Sequence, residues 1–83
     1  MAKILAVDDD PLNLAVIEIA LEDSPHRLTL AGSGEEAWLC LSEADQPYDL
    51  VILDKMMPGL DGLGVTQRIR RSPKLRQMRI LLV

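Results

Sequence analysis

Three aspartates directly follow apolar runs of the sequence, and their type and spacing favour metal chemistry. Asp8 and Asp9 come after the run "KILAV", and Asp54 comes after the run "YDLVIL". If these runs are neighbouring parallel strands, about 4.8 Å apart, their carboxyl ends meet at one sheet edge and the three carboxylates converge. Such a cluster needs a cation to offset its repulsion, and an all-oxygen set of carboxylates favours Mg²⁺, whose remaining ligands are water and phosphate oxygens.

The same acids allow other interpretations. Asp10 precedes Pro11, a pairing typical of a helix start, so we assign Asp10 to capping. An EF-hand loop starting at Asp8 would need an oxygen ligand at Leu12 and a glycine at Asn13, and both are missing. A metal-dependent phosphatase of the haloacid-dehalogenase type stays open as an alternative: Asp8 and Asp10 fit its spaced acid pair, although Pro11 and Leu12 do not match what should follow.

The elements that must position these acids alternate between strand and helix patterns. Short apolar runs predict strands at 3–7, 28–31, 48–53 and 79–83, and helical patterns lie within 8–23, 32–44 and 63–72. In the second helix Ala37, Leu41 and Ala44 share one face. Strands that are apolar along their length and separated by helices predict an α/β fold with a doubly wound parallel sheet.

Length and composition indicate one small globular domain. The chain has 83 residues, of which 48% are hydrophobic and 27% charged, with a net charge of −4. No apolar run approaches the roughly 20 residues of a membrane helix, and the amino terminus lacks the pattern of a signal peptide, so we expect a cytoplasmic protein without a membrane partner. The single cysteine, Cys40, is expected to be a small buried hydrophobe.

Two further features receive structural interpretations. His26 is expected to be a solvated turn residue. The other feature is a group of bases near the end of the chain: Arg68, Arg70, Arg71, Lys74, Arg76 and Arg79. The bases lack interleaved aromatic residues, and half of them complement the carboxyl end of a helix. We therefore do not expect nucleic acid to be the partner of this segment.

Taken together, these residues and motifs make the whole chain resemble the receiver domains of two-component response regulators. The resemblance rests on the acid pair after the first strand, on "AGSGEEAW" after the second, and on "DLVILDKMMPGLDG" around the third, which is highly specific. It implies a flavodoxin-like fold with strand order 2-1-3-4. It also implies a phosphoryl-accepting signalling domain and not a turnover enzyme, with at most self-phosphorylation from small donors and loss of its own phosphoryl group.

The resemblance also implies a role for each site residue. Asp54 would accept a phosphoryl group from a sensor histidine kinase or a phosphotransfer protein. Mg²⁺ would be bound by Asp9, Asp54 and the backbone carbonyl of Met56, with Asp8 helping through water. A receiver-like interaction module that is never phosphorylated is the other alternative, but it would not need the three acids together.

The sequence departs from the family pattern at its end. The family places a Ser or Thr after the fourth strand and a Lys after a fifth strand, whereas this sequence stops at Val83. Thr66 and Lys55 do not match those two positions. We therefore expect residues 1–83 to be the N-terminal portion of a receiver domain, without the fifth strand and last two helices. Taken alone, they should form a homodimer through the exposed edge strand or by element exchange, or else be loosely packed.

Overall fold

The computed structural model describes residues 1–83 as four strands that alternate with three helices. The elements are β1 (Lys3–Val7), α1 (Pro11–Leu21), β2 (Arg27–Ala31), α2 (Gly34–Glu43), β3 (Leu50–Leu53), α3 (Gly62–Arg71) and β4 (Arg79–Leu82). All strand pairs are parallel, and the sheet order is β2-β1-β3-β4. The predicted doubly wound α/β fold and its 2-1-3-4 order are confirmed.

The predicted element bounds differ from the observed ones by a few residues. β3 begins at Leu50, two residues later than predicted, and Asp49 before it donates its N–H to the carbonyl of Lys3 and accepts the N–H of Lys3 with Oδ2. α2 ends before Ala44, whose extended backbone terminates the helix, so the predicted apolar face stops at Leu41. α3 begins at Gly62, one residue earlier than predicted.

Each helix begins with a side-chain cap, and this fixes where the chain turns at the carboxyl edge of the sheet. Asp10 caps α1, Ser33 caps α2 and Asp61 caps α3, and each side-chain oxygen accepts a backbone N–H two or three residues later. These contacts satisfy N–H groups that have no partner within the helix. The predicted capping role of Asp10, with Pro11 in the first turn, is confirmed.

The main core lies on one face of the sheet. Because side chains alternate along a strand, Leu5 and Val7 of β1 share this face with Val51 and Leu53 of β3. Buried residues of α2, of the β3–α3 loop, of α3 and of the α3–β4 connection pack against them: Ala37, Leu41, Met57, Val65, Ile69 and Leu75. The right-handed crossover rule places α2 and α3 together on this face, since both connections run in the same direction across the sheet.

The opposite face of the sheet is covered by α1 alone. The connection through α1 runs in the other direction, so the same rule puts this helix over Ile4 and Ala6 of β1. No residue of α1 is buried, and Leu12, Val16 and Ile19 are 75%, 66% and 65% exposed. The helix is therefore apolar on its outer side as well as on the side that faces the sheet.

Several of the remaining residues make local contacts. Arg70 donates two hydrogen bonds to backbone carbonyls of the α3–β4 connection, and the Arg68 guanidinium lies 5.8 Å from the centre of the Trp38 ring. His26 is exposed, as predicted, and its Nδ1 accepts the N–H of Ala2 at 2.9 Å.

Cys40 was expected to be buried, but its side chain is only partly buried. That burial raises the pKa of the thiol, and the nearby carboxylates of Glu36 and Glu43 raise it further. A raised pKa means less reactive thiolate at neutral pH. None of the three helices has the length and apolar character required to cross a membrane.

Candidate metal centre

Two neighbouring strands bring three aspartates to one point at the carboxyl edge of the sheet. Val7 at the end of β1 pairs with Leu53 at the end of β3, and the N–H of Asp54 donates to the carbonyl of Val7 at 3.1 Å. Asp8 and Asp9 follow β1 directly. As a result, carboxylate oxygens of all three acids lie within 4.8 Å of one another.

Asp8 is the most deeply buried residue of this cluster. It is 6% exposed, and both of its oxygens have donors: Oδ1 accepts the N–H of Asp10 at 2.9 Å, and Oδ2 accepts Nδ2 of Asn13 at 3.0 Å. A buried carboxylate needs such donors, because burial disfavours an ion without partners. The two bonds also fix the direction in which its remaining lone pairs point.

The other two carboxylates are more open to solvent. Asp9 is exposed and Asp54 is half-buried. Oδ1 of Asp54 accepts the N–H of Met56 at 3.2 Å, so the first turn of the loop after β3 is bonded to the Asp54 side chain. The side chain of Met56 is 82% exposed, whereas the next residue, Met57, is 8% exposed and anchors the loop in the core.

The donor set suits a small hard cation. All three side chains offer carboxylate oxygens, and these oxygens lie close enough together to approach a single ion. The gradient from the buried Asp8 to the exposed Asp9 leaves one side of the cluster open to solvent. Mg²⁺, which keeps several waters and uses phosphate oxygens as ligands, fits such an open carboxylate site.

Several residues considered in the sequence lie outside the cluster. Asp10 caps α1, and its Oδ1 accepts the N–H of Leu12. Thr66 donates its hydroxyl hydrogen to the carbonyl of Gly62 within α3. The side chain of Lys55 is exposed, and its N–H donates to the carbonyl of Val83 at 3.3 Å.

Asn13 is a neighbour of the cluster that was not predicted from the sequence. A Pro11-started helix places residue 13 in its first turn, and this first turn lies directly beside the acids that end β1. A polar residue there, five positions after Asp8, is the signal that could have indicated the contact.

The family that matches this arrangement is the response regulator receiver domain, whose model covers residues 4–83. The chain belongs to this family. Its members are the receivers of two-component systems and act as signalling domains and not, in general, as catalysts.

Three similar proteins illustrate the relationship. The transcriptional regulatory protein AfsQ1 of Streptomyces coelicolor is 40% identical over 90% of this chain. The response regulator TrrA of Thermotoga maritima, solved in complex with Mg(2+)-BeF, is 38% identical over 99% of the chain with a TM-score of 0.86. The phosphorylated cyanobacterial phytochrome response regulator RcpA is 28% identical over 98% of the chain with a TM-score of 0.90.

The receiver chain corresponds to part of these relatives. It spans 32% of AfsQ1, 68% of the TrrA chain and 63% of the RcpA chain. The part of this chain that they share includes β1 and β3, the strands that the three clustered acids follow.

Proposed function

We propose that this receiver domain accepts a phosphoryl group on Asp54 from a phosphohistidine of a sensor histidine kinase or a phosphotransfer protein. The observation that carries the proposal is the convergence of Asp8, Asp9 and Asp54 in a chain of the receiver family. Two similar receivers support it, one solved phosphorylated and the other in complex with Mg(2+)-BeF.

Asp54 suits the part of the nucleophile. It is half-buried, so it is held by the strand yet reachable from solvent. Because Oδ1 accepts the N–H of Met56, Oδ2 is the oxygen free to attack. That oxygen forms a bond to phosphorus, the P–N bond to the donor imidazole breaks with its electron pair on nitrogen, and an acyl phosphate results.

The residues that would hold Mg²⁺ are Asp9, Asp54 and the backbone carbonyl of Met56, with Asp8 acting through a water molecule. When bound, the ion neutralises charge on the transferred phosphoryl oxygens. The indirect role of Asp8 agrees with its two hydrogen bonds, since both of its oxygens already accept protein donors. Asp9, which is more exposed, is the acid best able to approach an ion directly.

The test is labelling with a small phosphodonor. Wild-type protein treated with acetyl phosphate and Mg²⁺ should become labelled with a single phosphoryl group per modified chain, and hydroxylamine should remove it because an acyl phosphate is labile. Asp54→Asn should gain none. A steady release of phosphate from p-nitrophenyl phosphate would instead favour the metal-dependent phosphatase over a stoichiometric acceptor.

A further inference from the structure

The loop between β3 and α3, residues 54–61, is closed at its base and held near its α3 end. At the base, Gly62 packs so closely against the carbonyl of Asp54 that an added Cβ would overlap it. Near the α3 end, Gly34 at the start of α2 approaches the carbonyl of Leu60 still more closely. The loop that bears Met56 therefore rests on α2 as well as on its own strand and helix.

Glu35 of α2 makes a side-chain contact with this end of the loop. Its Oε2 accepts the N–H of Leu60 at 3.1 Å, across 25 residues of sequence. The neighbouring Gly59 has a φ of 70°, a conformation that favours glycine, and a Cβ there would lie 2.8 Å from the same Oε2. The carboxylate thus occupies the space that the missing side chain of Gly59 leaves.

A simpler explanation is that Glu35 is one more acid in the first turn of a helix, where acids favour the positive end of the dipole. Glu36 shows what that role looks like. Its Oε2 accepts the N–H of Gly32 at 3.1 Å, just before its own helix. Glu35 differs because its partner, Leu60, belongs to another part of the chain, the loop that follows β3 and Asp54.

We propose that Glu35 is a positioning residue for the Asp54 site, acting through the loop. This inference rests on the proposed function, in which the Met56 carbonyl is a Mg²⁺ ligand. A backbone ligand has no rotamer of its own, so its direction depends on how the loop is held. Met57 anchors the middle of the loop in the core, and Glu35 holds its α3 end through Leu60. Groups that hydrogen-bond a metal ligand typically change metal affinity 10–100-fold, and because Glu35 acts four residues from Met56 we expect an effect at the lower end of that range.

The experiment compares Glu35→Ala, Glu35→Gln and Glu36→Ala with wild type. Glu35→Gln loses the charge but keeps an oxygen that can accept the N–H of Leu60, and Glu36→Ala loses a charge and a backbone acceptor at the neighbouring position. The readouts are Mg²⁺ affinity by calorimetry, the acetyl phosphate labelling rate, urea unfolding, and hydrogen exchange of the Leu60 amide by NMR.

We expect Glu35→Ala to bind Mg²⁺ about tenfold more weakly, to label more slowly and to exchange the Leu60 amide faster. Glu35→Gln should stay within about threefold of wild type, and Glu36→Ala should keep Leu60 protected. Equal Mg²⁺ affinities in Glu35→Ala and Glu36→Ala would overturn the proposal, as would a loss in Glu35→Ala explained wholly by unfolding. A Leu60 amide that is already unprotected in wild type would also overturn it, whereas wild type that neither binds Mg²⁺ nor labels would overturn the proposed function itself.

Discussion

The three carboxylates of the cluster differ in what surrounds them, and this sets what each can do. Asp8 is buried and both its oxygens accept hydrogen bonds, whereas Asp9 is exposed and Asp54 is half-buried. Three carboxylates this close together repel one another, and a cation bound among them would offset that repulsion. Under the proposed function, the Mg²⁺ affinity is therefore the property most sensitive to single substitutions of these acids.

Replacing Asp9 or Asp54 by Asn should abolish Mg²⁺ binding, because each change removes one negative charge from the ligand set. Asp10→Asn is the matched control: Asn also caps helices well, so this variant should bind Mg²⁺ nearly as wild type does. Calorimetric or NMR titration measures the affinities. Unchanged affinity in both the Asp9 and the Asp54 variant would contradict the assignment.

Asn13→Ala should weaken Mg²⁺ binding by about tenfold, because Asp8 loses the donor that orients its Oδ2. Leu12→Ala, at the neighbouring and 75% exposed position, should leave the affinity unchanged. The same titration compares the two variants. An equal effect of both substitutions would indicate a general perturbation of α1 and not a role for the Asn13 side chain.

Among the elements, α3 packs against the core through two residues that lie one turn apart. Val65 and Ile69 are both fully buried, while the exposed side of the helix carries its basic residues. The following connection is tied back by Arg70, which donates to the carbonyls of Arg76 and Met78 at 2.7 Å. The helix therefore holds the end of the loop after Asp54 in place.

Ile69→Ala should lower the free energy of unfolding by about 2–5 kcal/mol, because it leaves a cavity in the core. Leu63→Ala, at a position 55% exposed on the same helix, should change it by less than about 0.5 kcal/mol. Urea unfolding measures both free energies. If the Ile69→Ala variant does not fold, Ile69→Val serves instead and should lower the free energy of unfolding by about 0.5–1.5 kcal/mol. Equal losses for the residue 69 and residue 63 variants would contradict the described core.

The elements, their order in the sheet and the meeting of the three acids were predicted from the sequence, whereas the finer tertiary contacts were not. β1 was predicted with its observed bounds, and Asp10 with Pro11 marked the start of α1, because these signals are local. The partial burial of Cys40 depends on packing that local patterns do not contain. The contact between Glu35 and Leu60 joins residues 25 positions apart, so only the folded chain reveals it.

At the scale of the whole molecule, the two faces of the sheet are unequally covered. One face carries α2, α3 and the main core, while the other carries α1, none of whose residues is buried. The exposed apolar residues include Leu12, Val16 and Ile19 of α1 and Leu81 of the edge strand β4. Exposed apolar surface and an open edge strand both favour association with another chain.

The 83-residue polypeptide should accordingly dimerise when studied by itself, by edge pairing or element exchange, or else be loosely packed. Light scattering after size exclusion gives its mass, and hydrogen exchange reports how well its strands are protected. A monodisperse monomer with strongly protected strand amides would contradict this expectation and show that the acidic cluster is carried by a self-sufficient fold.

The measurement that tests the central claim most directly is the location of the phosphoryl group. Protein labelled with acetyl phosphate and Mg²⁺ is treated with borohydride, which traps an acyl phosphate at the modified carboxyl, and its peptides are then sequenced by mass spectrometry. We expect the trapped residue to be Asp54, at the end of β3 beside Asp8 and Asp9. A label on His26, on a serine or on any other acid would contradict the account.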